Sequence, residues 1–332
     1  MRVALLGYGF AGKTIHAPLI RSVAQLELVQ VMSGKEARVH ADLPGMVVTA
    51  SADDVFGNPA VDLVVIATPN STHFDLASRA MSAGKHVVID KPFTVTCAEG
   101  RDLIATAANR GLLLSVFHSR RWDADFLTIR KLLASGELGD VMLFESHYDR
   151  YRPVVQNRWR EQAGPGSGIW FDLGSHLVDQ ALQLFGPPDS MDADLGIQRE
   201  GGTAIDYFHV VLHYGRMRAI LHGSNLVAAE TARFQIHGMA ASFVKYGMDT
   251  QEPALRRGQL PGSPGWGEDP RHGTLTTPAG SRTVETIAGD YRRYYEAIRD
   301  AVQKGTPNPV TPEDALAVVE VLNGLHDTIR TN

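Results

Sequence analysis

The stretch that decides the fold is residues 1–13, MRVALLGYGFAGK. Arg2 to Leu6 reads as a buried strand that runs directly into Gly7-Tyr8-Gly9-Phe10-Ala11-Gly12, a G-x-G-x-x-G turn. Gly7 permits the tight strand-to-helix turn, Gly9 lets a pyrophosphate approach the backbone, and Gly12 lets the helix pack close to the strand. A helix starting near Phe10 aims free N–H groups and the positive end of its dipole at the phosphates. An ordinary glycine-rich βα turn would share the spacing. The apolar strand before it, the helix after it (to about Val23, with Pro18 as a kink or break) and a second strand at Leu26 to Met32 favour dinucleotide binding. Tyr8, Phe10, Ala11 and Lys13 join the glycines as expected cofactor contacts.

The rest of the first third repeats the βα rhythm. A short strand is expected at Val47 to Thr49 and a short helix at 52–56. VDLVVIA, Val61 to Ala67, is a continuous apolar run, as a parallel strand buried on both faces requires. The loop beyond it, Thr68-Pro69-Asn70-Ser71-Thr72-His73, is placed to line the cofactor cleft, because doubly wound sheets bind ligands beyond the carboxyl ends of their strands. A helix from Phe74 to Ala83, a strand at His86 to Ile89, a helix from Cys97 to Arg110 and a strand at Leu112 to Phe117 complete the series. The pattern predicts a parallel, doubly wound sheet.

The tip of the second strand bears on the cofactor. NAD-binding folds place a carboxylate there for the ribose 2′-OH. This chain has Ser33-Gly34-Lys35, with Arg38 one helical step on. A hydroxyl and two cations suit a 2′-phosphate, so NADP is favoured, while nearby Glu36 keeps NAD open. Lys91 is the first residue with a chemical claim. It follows Asp90 and precedes Pro92 at a strand's carboxyl end, where an ammonium can bond a substrate oxygen and stabilise alkoxide character. A surface lysine paired with Asp90 is the equal alternative.

Composition sets the outer bounds. The chain has 332 residues, 44% hydrophobic and 21% charged, which suits two globular domains. A formal charge of −5 argues against nucleic acid or an anionic membrane as partner. The single cysteine, Cys97, excludes an internal disulfide and points to a reducing compartment. With a strand at the start leaving no room for a signal peptide, and no apolar run near the ~20 residues that span a bilayer, a cytoplasmic location is expected.

The rhythm changes after His118. Arg120-Arg121-Trp122-Asp123 opens a helix to about Ala134, a strand is expected at Val141 to Tyr148, and Tyr151 to Gly168 is long and irregular, as functional loops are. The next helix, Gly168 to Phe185, carries Asp172, His176 and Asp179 at i, i+4 and i+7, a polar stripe on an apolar helix. A histidine flanked by carboxylates suits proton transfer near neutral pH. A structural histidine bonded to Asp179, or a metal site, would use the same residues. No H-x-x-x-H or C-x-x-C pair accompanies them, so no metal is expected. Ile205 to Ala241 alternates as an antiparallel sheet, with His209, His213 and His222 read as sheet-face residues rather than ligands. Tyr246 to Gly273 is rich in Gly and Pro and is expected as a long loop. Helices are expected at Asp290 to Gln303 and from Thr311 to about Ile329.

Gly7-x-Gly9-x-x-Gly12, Thr68-Pro69-Asn70-x-x-His73, Asp90-Lys91-Pro92 and Asp172-x-Gly174-x-His176-x-x-Asp179, in this order, resemble the Gfo/Idh/MocA oxidoreductases. GYGFAGKTIHAPLI from Gly7 and RRWDADFLT from Arg120 look most like the branch containing NADP-dependent scyllo-inositol dehydrogenase. The resemblance implies a Rossmann domain at 1–118 and, at 119–332, a substrate and oligomerisation domain on a large, mostly antiparallel open sheet, with C-terminal helices packing back on the first domain. It implies Lys91, Asp172 and His176 as catalytic residues, with Asp90 replacing the family's usual Glu. A cis Lys91–Pro92 bond and a homodimer or homotetramer formed through the sheet are also implied. Arg121, Trp122, Tyr148, Arg158, Trp159, Arg160 and Asp179 are the candidate substrate contacts. The expected reaction is hydride exchange between the nicotinamide and a secondary alcohol or carbonyl of a cyclitol, sugar or polyol. A dihydrodiol or aldose dehydrogenase, a biliverdin-type reductase and a non-catalytic NADP-binding regulator remain as alternatives.

Overall fold

A computed structural model describes residues 1–324. The chain divides into two compact units: residues 1–119 with 251–266 and 290–319, and residues 120–250 with 267–289 and the segment from Glu320. In the first, strands β1 (Arg2–Leu6), β2 (Glu27–Met32), β3 (Val47–Thr49), β4 (Leu63–Ile66), β5 (His86–Asp90) and β6 (Leu114–Phe117) form one parallel sheet. Their order is β3-β2-β1-β4-β5-β6, the doubly wound order whose direction of growth reverses between β1 and β4. The loops after β1 and β4 therefore open at the switch point. Val3 to Leu6 and Leu63 to Ile66 are wholly buried, because helices cover both faces of a parallel sheet. Helices α1 (Ala17–Ser22), α2 (Glu36–Asp42), α3 (Ala52–Phe56), α4 (His73–Ser82) and α5 (Cys97–Arg110) supply the crossovers. Pro18 sits in the first turn of α1, where its missing N–H costs nothing. It follows a wider π-type turn, Ala11–His16, so the expected single helix is two pieces.

The second unit begins with α6 (Ala124–Ser135) and β7 (Val141–His147), followed by α7 (Ser175–Phe185) and β8 (Ser190–Gly196). Strands β9 (Tyr207–Tyr214), β10 (Met217–Ser224), β11 (Ala232–Gly238) and β12 (Ser242–Tyr246) come next. The expected loop 246–273 is only partly a loop. It carries α8 (Gln251–Arg256), which belongs to the first unit. There the Arg256 guanidinium lies 4.5 Å over the Phe10 ring, and Gln251 accepts from the Tyr291 N–H. Gly and Pro flank this turn of helix and hid it from sequence patterning. Strands β13 (Gly273–Thr277) and β14 (Gly280–Val284) complete an eight-stranded sheet ordered β14-β13-β12-β11-β7-β10-β9-β8, antiparallel except for the β7–β10 pair. Strands β8 and β12 to β14 were not anticipated: they are short, or rich in Gly, Ser and Thr, and alternate weakly.

Helices α9 (Arg292–Lys304) and α10 (Pro312–Asn323) end the described chain; the expected end at Ile329 lies outside the described residues. α9 seals the first unit through Tyr294 and Tyr295, which pack on Phe117 with ring centroids 4.9 and 5.7 Å away. Alternation along the second sheet leaves Phe144, Phe208, Phe234 and Phe243 fully buried on one face. Phe185 of α7 lies edge-on to Phe144 at 5.3 Å. The other face carries Leu143, Glu145, His147, His209, Val211, His213, Ile220, His222 and Gln235, all half-buried.

Candidate active site

The first unit contributes a cradle at the switch point. A Cβ at Gly7 (φ +94°) would sit 2.7 Å from the Ala67 carbonyl oxygen, and one at Gly12 would sit 2.0 Å from the Gly7 oxygen, so both positions require glycine. A Cβ at Gly9 would meet nothing within 4 Å. Two glycines are thus fixed by packing and the middle one by open space above it, the arrangement a pyrophosphate needs. Tyr8 is buried, and its hydroxyl pKa is pushed up to about 12, first by burial and then by the Asp42 carboxylate. Lys13 pairs with that same Asp42 at 2.7 Å. Its charge is therefore neutralised locally, by a partner that spacing did not reveal.

At the tip of β2, the Ser33 hydroxyl accepts from the Lys35 N–H at 3.1 Å. Lys35 and Arg38 are exposed, and among the described residues their side chains make no hydrogen bond or ion pair. The loop after β4 is tied down locally: Thr68 and Thr72 share a hydroxyl contact of 2.7 Å, and Thr72 donates to the Pro69 carbonyl. His73 is buried, with Nδ1 2.9 Å from the Pro92 oxygen and Nε2 3.1 Å from the Thr68 oxygen. It straps the Thr68 loop to the Lys91–Pro92 turn. Burial holds its pKa below the ordinary imidazole value despite the Asp90 charge. Asn70 in the same loop is buried, as is Pro69's neighbour strand β4.

Lys91 follows β5 directly, and its bond to Pro92 is cis, as the resemblance implies. Its N–H is received by Asp90 Oδ1 at 2.9 Å. Burial pushes the Asp90 carboxyl up, but His16 and the nearby Lys91 charge outweigh it and hold it below the ordinary carboxylate value. His16 Nε2 lies 3.7 Å from Asp90, and its Nδ1 lies 2.5 Å from the Tyr295 hydroxyl. Sequence reading missed this Tyr295–His16–Asp90 cluster, because its members are up to 279 residues apart.

The second unit contributes the motif helix. It opens with a wide π-type turn, Trp170–Gly174, before α7; such turns recur at functional sites. Gly174 is required because a Cβ there would lie 2.3 Å from the Trp170 ring, which is anchored by its indole N–H on the Leu322 carbonyl. Asp172 keeps 21% of its side chain exposed, with Arg160 3.7 Å away, whereas His176 is 8% exposed. Asp179 is 1% exposed and is held by Arg121 through Nε and Nη2, the shortest contact being 2.6 Å. The structure thus brings two expected substrate contacts together as one buried ion pair. Arg120 donates to Asp123 and to the Tyr148 hydroxyl, and Gln180 links the Arg120 carbonyl to Arg233. Tyr148 is buried within this network, under the Arg120, Arg150 and Arg233 guanidinia. Trp122 is half-buried at the start of the same segment. Arg158, Trp159 and Arg160 lie exposed on the long loop, Arg160 stacked 5.1 Å over Trp159.

Among the described residues no helix is long and apolar enough to cross a membrane. Residues 1–118 match the family model "Oxidoreductase family, NAD-binding Rossmann fold", and residues 130–330 match "Oxidoreductase family, C-terminal alpha/beta domain". The chain is 52% identical to the uncharacterized oxidoreductase YdgJ of Escherichia coli, over 97% of this chain and 94% of that one. It is 42% identical to the scyllo-inositol 2-dehydrogenase (NADP(+)) IolW of Bacillus subtilis, over 97% and 92%. The solved structure of YPO2259 from Yersinia pestis superposes with a TM-score of 0.95 at 48% identity, covering 100% of this chain and 98% of that one. The cradle at the switch point and the matches along both units lead to one conclusion: this chain is an NAD(P)-binding oxidoreductase and belongs to the Gfo/Idh/MocA family.

Proposed function

We propose that the chain is a dehydrogenase or reductase exchanging hydride between NADP and a secondary alcohol or carbonyl of a cyclitol, sugar or polyol. The observation that carries this reading is the place of Lys91, directly after the carboxyl end of β5 with its N–H held on Asp90 Oδ1 at 2.9 Å, in the unit that holds the dinucleotide cradle. The names of IolW and of a more distant relative, the 1,5-anhydro-D-fructose reductase of Ensifer adhaerens, support the substrate class. The two unpaired cations Lys35 and Arg38 support NADP over NAD.

The glycines of the cradle would hold the pyrophosphate, and Lys35 and Arg38 would bind a ribose 2′-phosphate. When bound, the nicotinamide supplies the hydride acceptor or donor at its C4 carbon. Lys91 donates a hydrogen bond to the reacting oxygen and stabilises its alkoxide character. His176 takes the hydroxyl proton in the oxidative direction and returns it in the reductive one. Asp172 orients the substrate beside Arg160. The Arg121–Asp179 pair and the Arg120–Tyr148 network set the position of α7 and so of His176. Leu143, Val211 and Ile220 on the outward face of the second sheet support self-association into a dimer or tetramer, and the lone cysteine supports a cytoplasmic setting.

The test is cofactor reduction by the purified protein, NADP against NAD, over inositols, aldoses and diols, with Lys91→Met in parallel. Turnover with NADP and a cyclitol or sugar, reduced about 10²–10⁴-fold in the variant while NADP still binds, is the expected result. Near-normal turnover in Lys91→Met refutes the role of the lysine. Tight NADP binding without turnover on any substrate refutes the substrate class.

A further inference from the structure

The outward face of the second sheet carries side chains that this reaction does not use. His147 of β7 and His222 of β10 are direct partners in the sheet's one parallel pair. Neighbouring strands run about 4.8 Å apart, so the two imidazoles stand side by side, with ring centroids 5.2 Å apart. Asp149 follows β7 and reaches between them. His147 Nδ1 lies 3.4 Å from Asp149 Oδ2, and His222 Nε2 lies 3.4 Å from Asp149 Oδ1. One donor atom from each of the three residues falls within 4.8 Å of the others. We propose that His147, Asp149 and His222 form a binding site for one divalent transition-metal ion, with zinc the best match and a fourth position open to water.

The donor set and its spacing carry the argument. Two imidazoles and a carboxylate suit zinc, and bonds of about 2.0–2.1 Å to a tetrahedral ion separate neighbouring donors by about 3.4 Å. Hydrogen bonding accounts for the group less well. The contacts exceed the usual N–H···O range of about 2.7–3.2 Å, and His147 Nδ1 and Asp149 Oδ1 are buried with no hydrogen-bond partner. The surroundings also resemble the outer shell of a metal site. The far nitrogen of His147, Nε2, faces Glu145 Oε2 at 3.3 Å, the carboxylate–histidine arrangement that orients a ligating ring. Gln235 steadies Glu145 by donating to the same oxygen at 3.2 Å. Thr231 donates to Asp149 Oδ2 at 2.8 Å, which turns Oδ1 toward the ion. His222 is read from sequence as a sheet-face histidine rather than a ligand, and the proposed ligand role departs from the second half of that reading. That placement holds, but its neighbours 73 and 75 positions earlier were invisible to local spacing. An ion here clamps β7 to β10 and is separate from hydride transfer.

The test uses untagged full-length protein, stripped with a chelator and titrated with zinc chloride by calorimetry and with cobalt(II) by visible absorption. The expected result is one saturable equivalent per chain and the intense visible bands of tetrahedral cobalt. His222→Gln and Asp149→Asn should lose both signals while retaining NADP binding, the control for folding. Glu145→Gln should weaken zinc by about 10–100-fold. Absence of saturable zinc binding to the unsubstituted protein overturns the proposal, as does undiminished binding in both His222→Gln and Asp149→Asn. If neither variant folds, the cobalt spectrum of the unsubstituted protein decides, and an octahedral spectrum overturns the site.

Discussion

Gly9 and Gly12 occupy the same motif for different reasons, and alanine at each should separate binding from stability. At Gly9 an added methyl meets no atom of the protein within 4 Å, and the backbone is not in the left-handed region. Gly9→Ala should therefore fold normally, with stability equal to or about 0.4–1 kcal/mol above that of the parent, since alanine has fewer unfolded conformations to lose. The methyl fills the space assigned to the pyrophosphate. Losing one or two charge-assisted hydrogen bonds, at about 1.5–3 kcal/mol each, should weaken NADP roughly 10–100-fold or more at 1.4 kcal/mol per decade. At Gly12 the methyl would lie 2.0 Å from the Gly7 oxygen, about an ångström inside any real contact, and backbone must move. Such overpacking costs about 1–3 kcal/mol or more, which lowers the melting temperature by roughly 2–4 °C per kcal/mol in a unit of this size. Thermal denaturation without cofactor and NADPH fluorescence titration measure the two quantities independently. A Gly9→Ala protein that binds NADPH like the parent would refute the cradle. A Gly12→Ala protein with an unchanged melting temperature would refute the packing argument.

Replacing Lys35 and Arg38 together by alanine should weaken NADP about tenfold or more, from the charge-assisted bonds lost, and leave NAD almost unchanged; an equal loss for both cofactors, measured as Kd, refutes their role. Arg121→Met strands the buried Asp179 carboxylate and should cost about 3–5 kcal/mol, whereas Arg121→Met with Asp179→Leu should recover much of it, as read by urea denaturation. His86 gives a pH test. Burial lowers its pKa despite nearby Asp62, and its Nδ1 accepts from the Leu113 N–H, so the folded state binds the proton less readily than the unfolded one. Its contribution is complete above the unfolded value near 6.5 and is lost as pH falls below it, at no more than about 1.4 kcal/mol per pH unit. Asn keeps an acceptor at that position but cannot titrate, so His86→Asn should flatten the stability profile below pH 6.5; an identical slope in the two proteins refutes the assignment.

The parts of the fold legible in the sequence are those written in neighbouring residues. The apolar runs at Val3 to Leu6 and Leu63 to Ile66, each followed by a turn and an amphipathic helix, identify parallel strands because burial on both faces leaves no polar alternation. The three glycines gave the cradle because their constraints are steric and local. The second sheet was less legible. β13 and β14 carry Thr274, Thr276, Ser281 and Thr283 on one face and glycines among the residues of the other, and α8 is a six-residue turn of helix between glycine-rich flanks, so neither leaves a strong periodicity. The expected single helix after Gly9 and the one after Gly168 both begin with a wide turn. Periodicity near 3.6 cannot distinguish that turn from α-helix over five or six residues.

The candidate site shows the same division between local and distant causes. The stripe Asp172, His176 and Asp179 is visible in the sequence, but its three members have different fates. Asp172 stays partly exposed beside Arg160, His176 is nearly buried, and Asp179 is occupied by an arginine 58 residues away. Two carboxylates on one helical face are therefore not interchangeable. A buried carboxylate with a bidentate guanidinium partner is neutralised where it stands, and its effect on chemistry passes through the position of the helix it anchors. A half-buried one 3.7 Å from an arginine keeps part of its side chain open to solvent. The distinction supports the proposal that Asp179 positions the helix while Asp172 contacts substrate. It also has a kinetic signature: Asp172→Asn should raise KM for the substrate at nearly unchanged stability. Asp179→Asn should instead lower the melting temperature and kcat together, because it leaves Arg121 buried without its charge partner. The reverse pattern would exchange the two assignments.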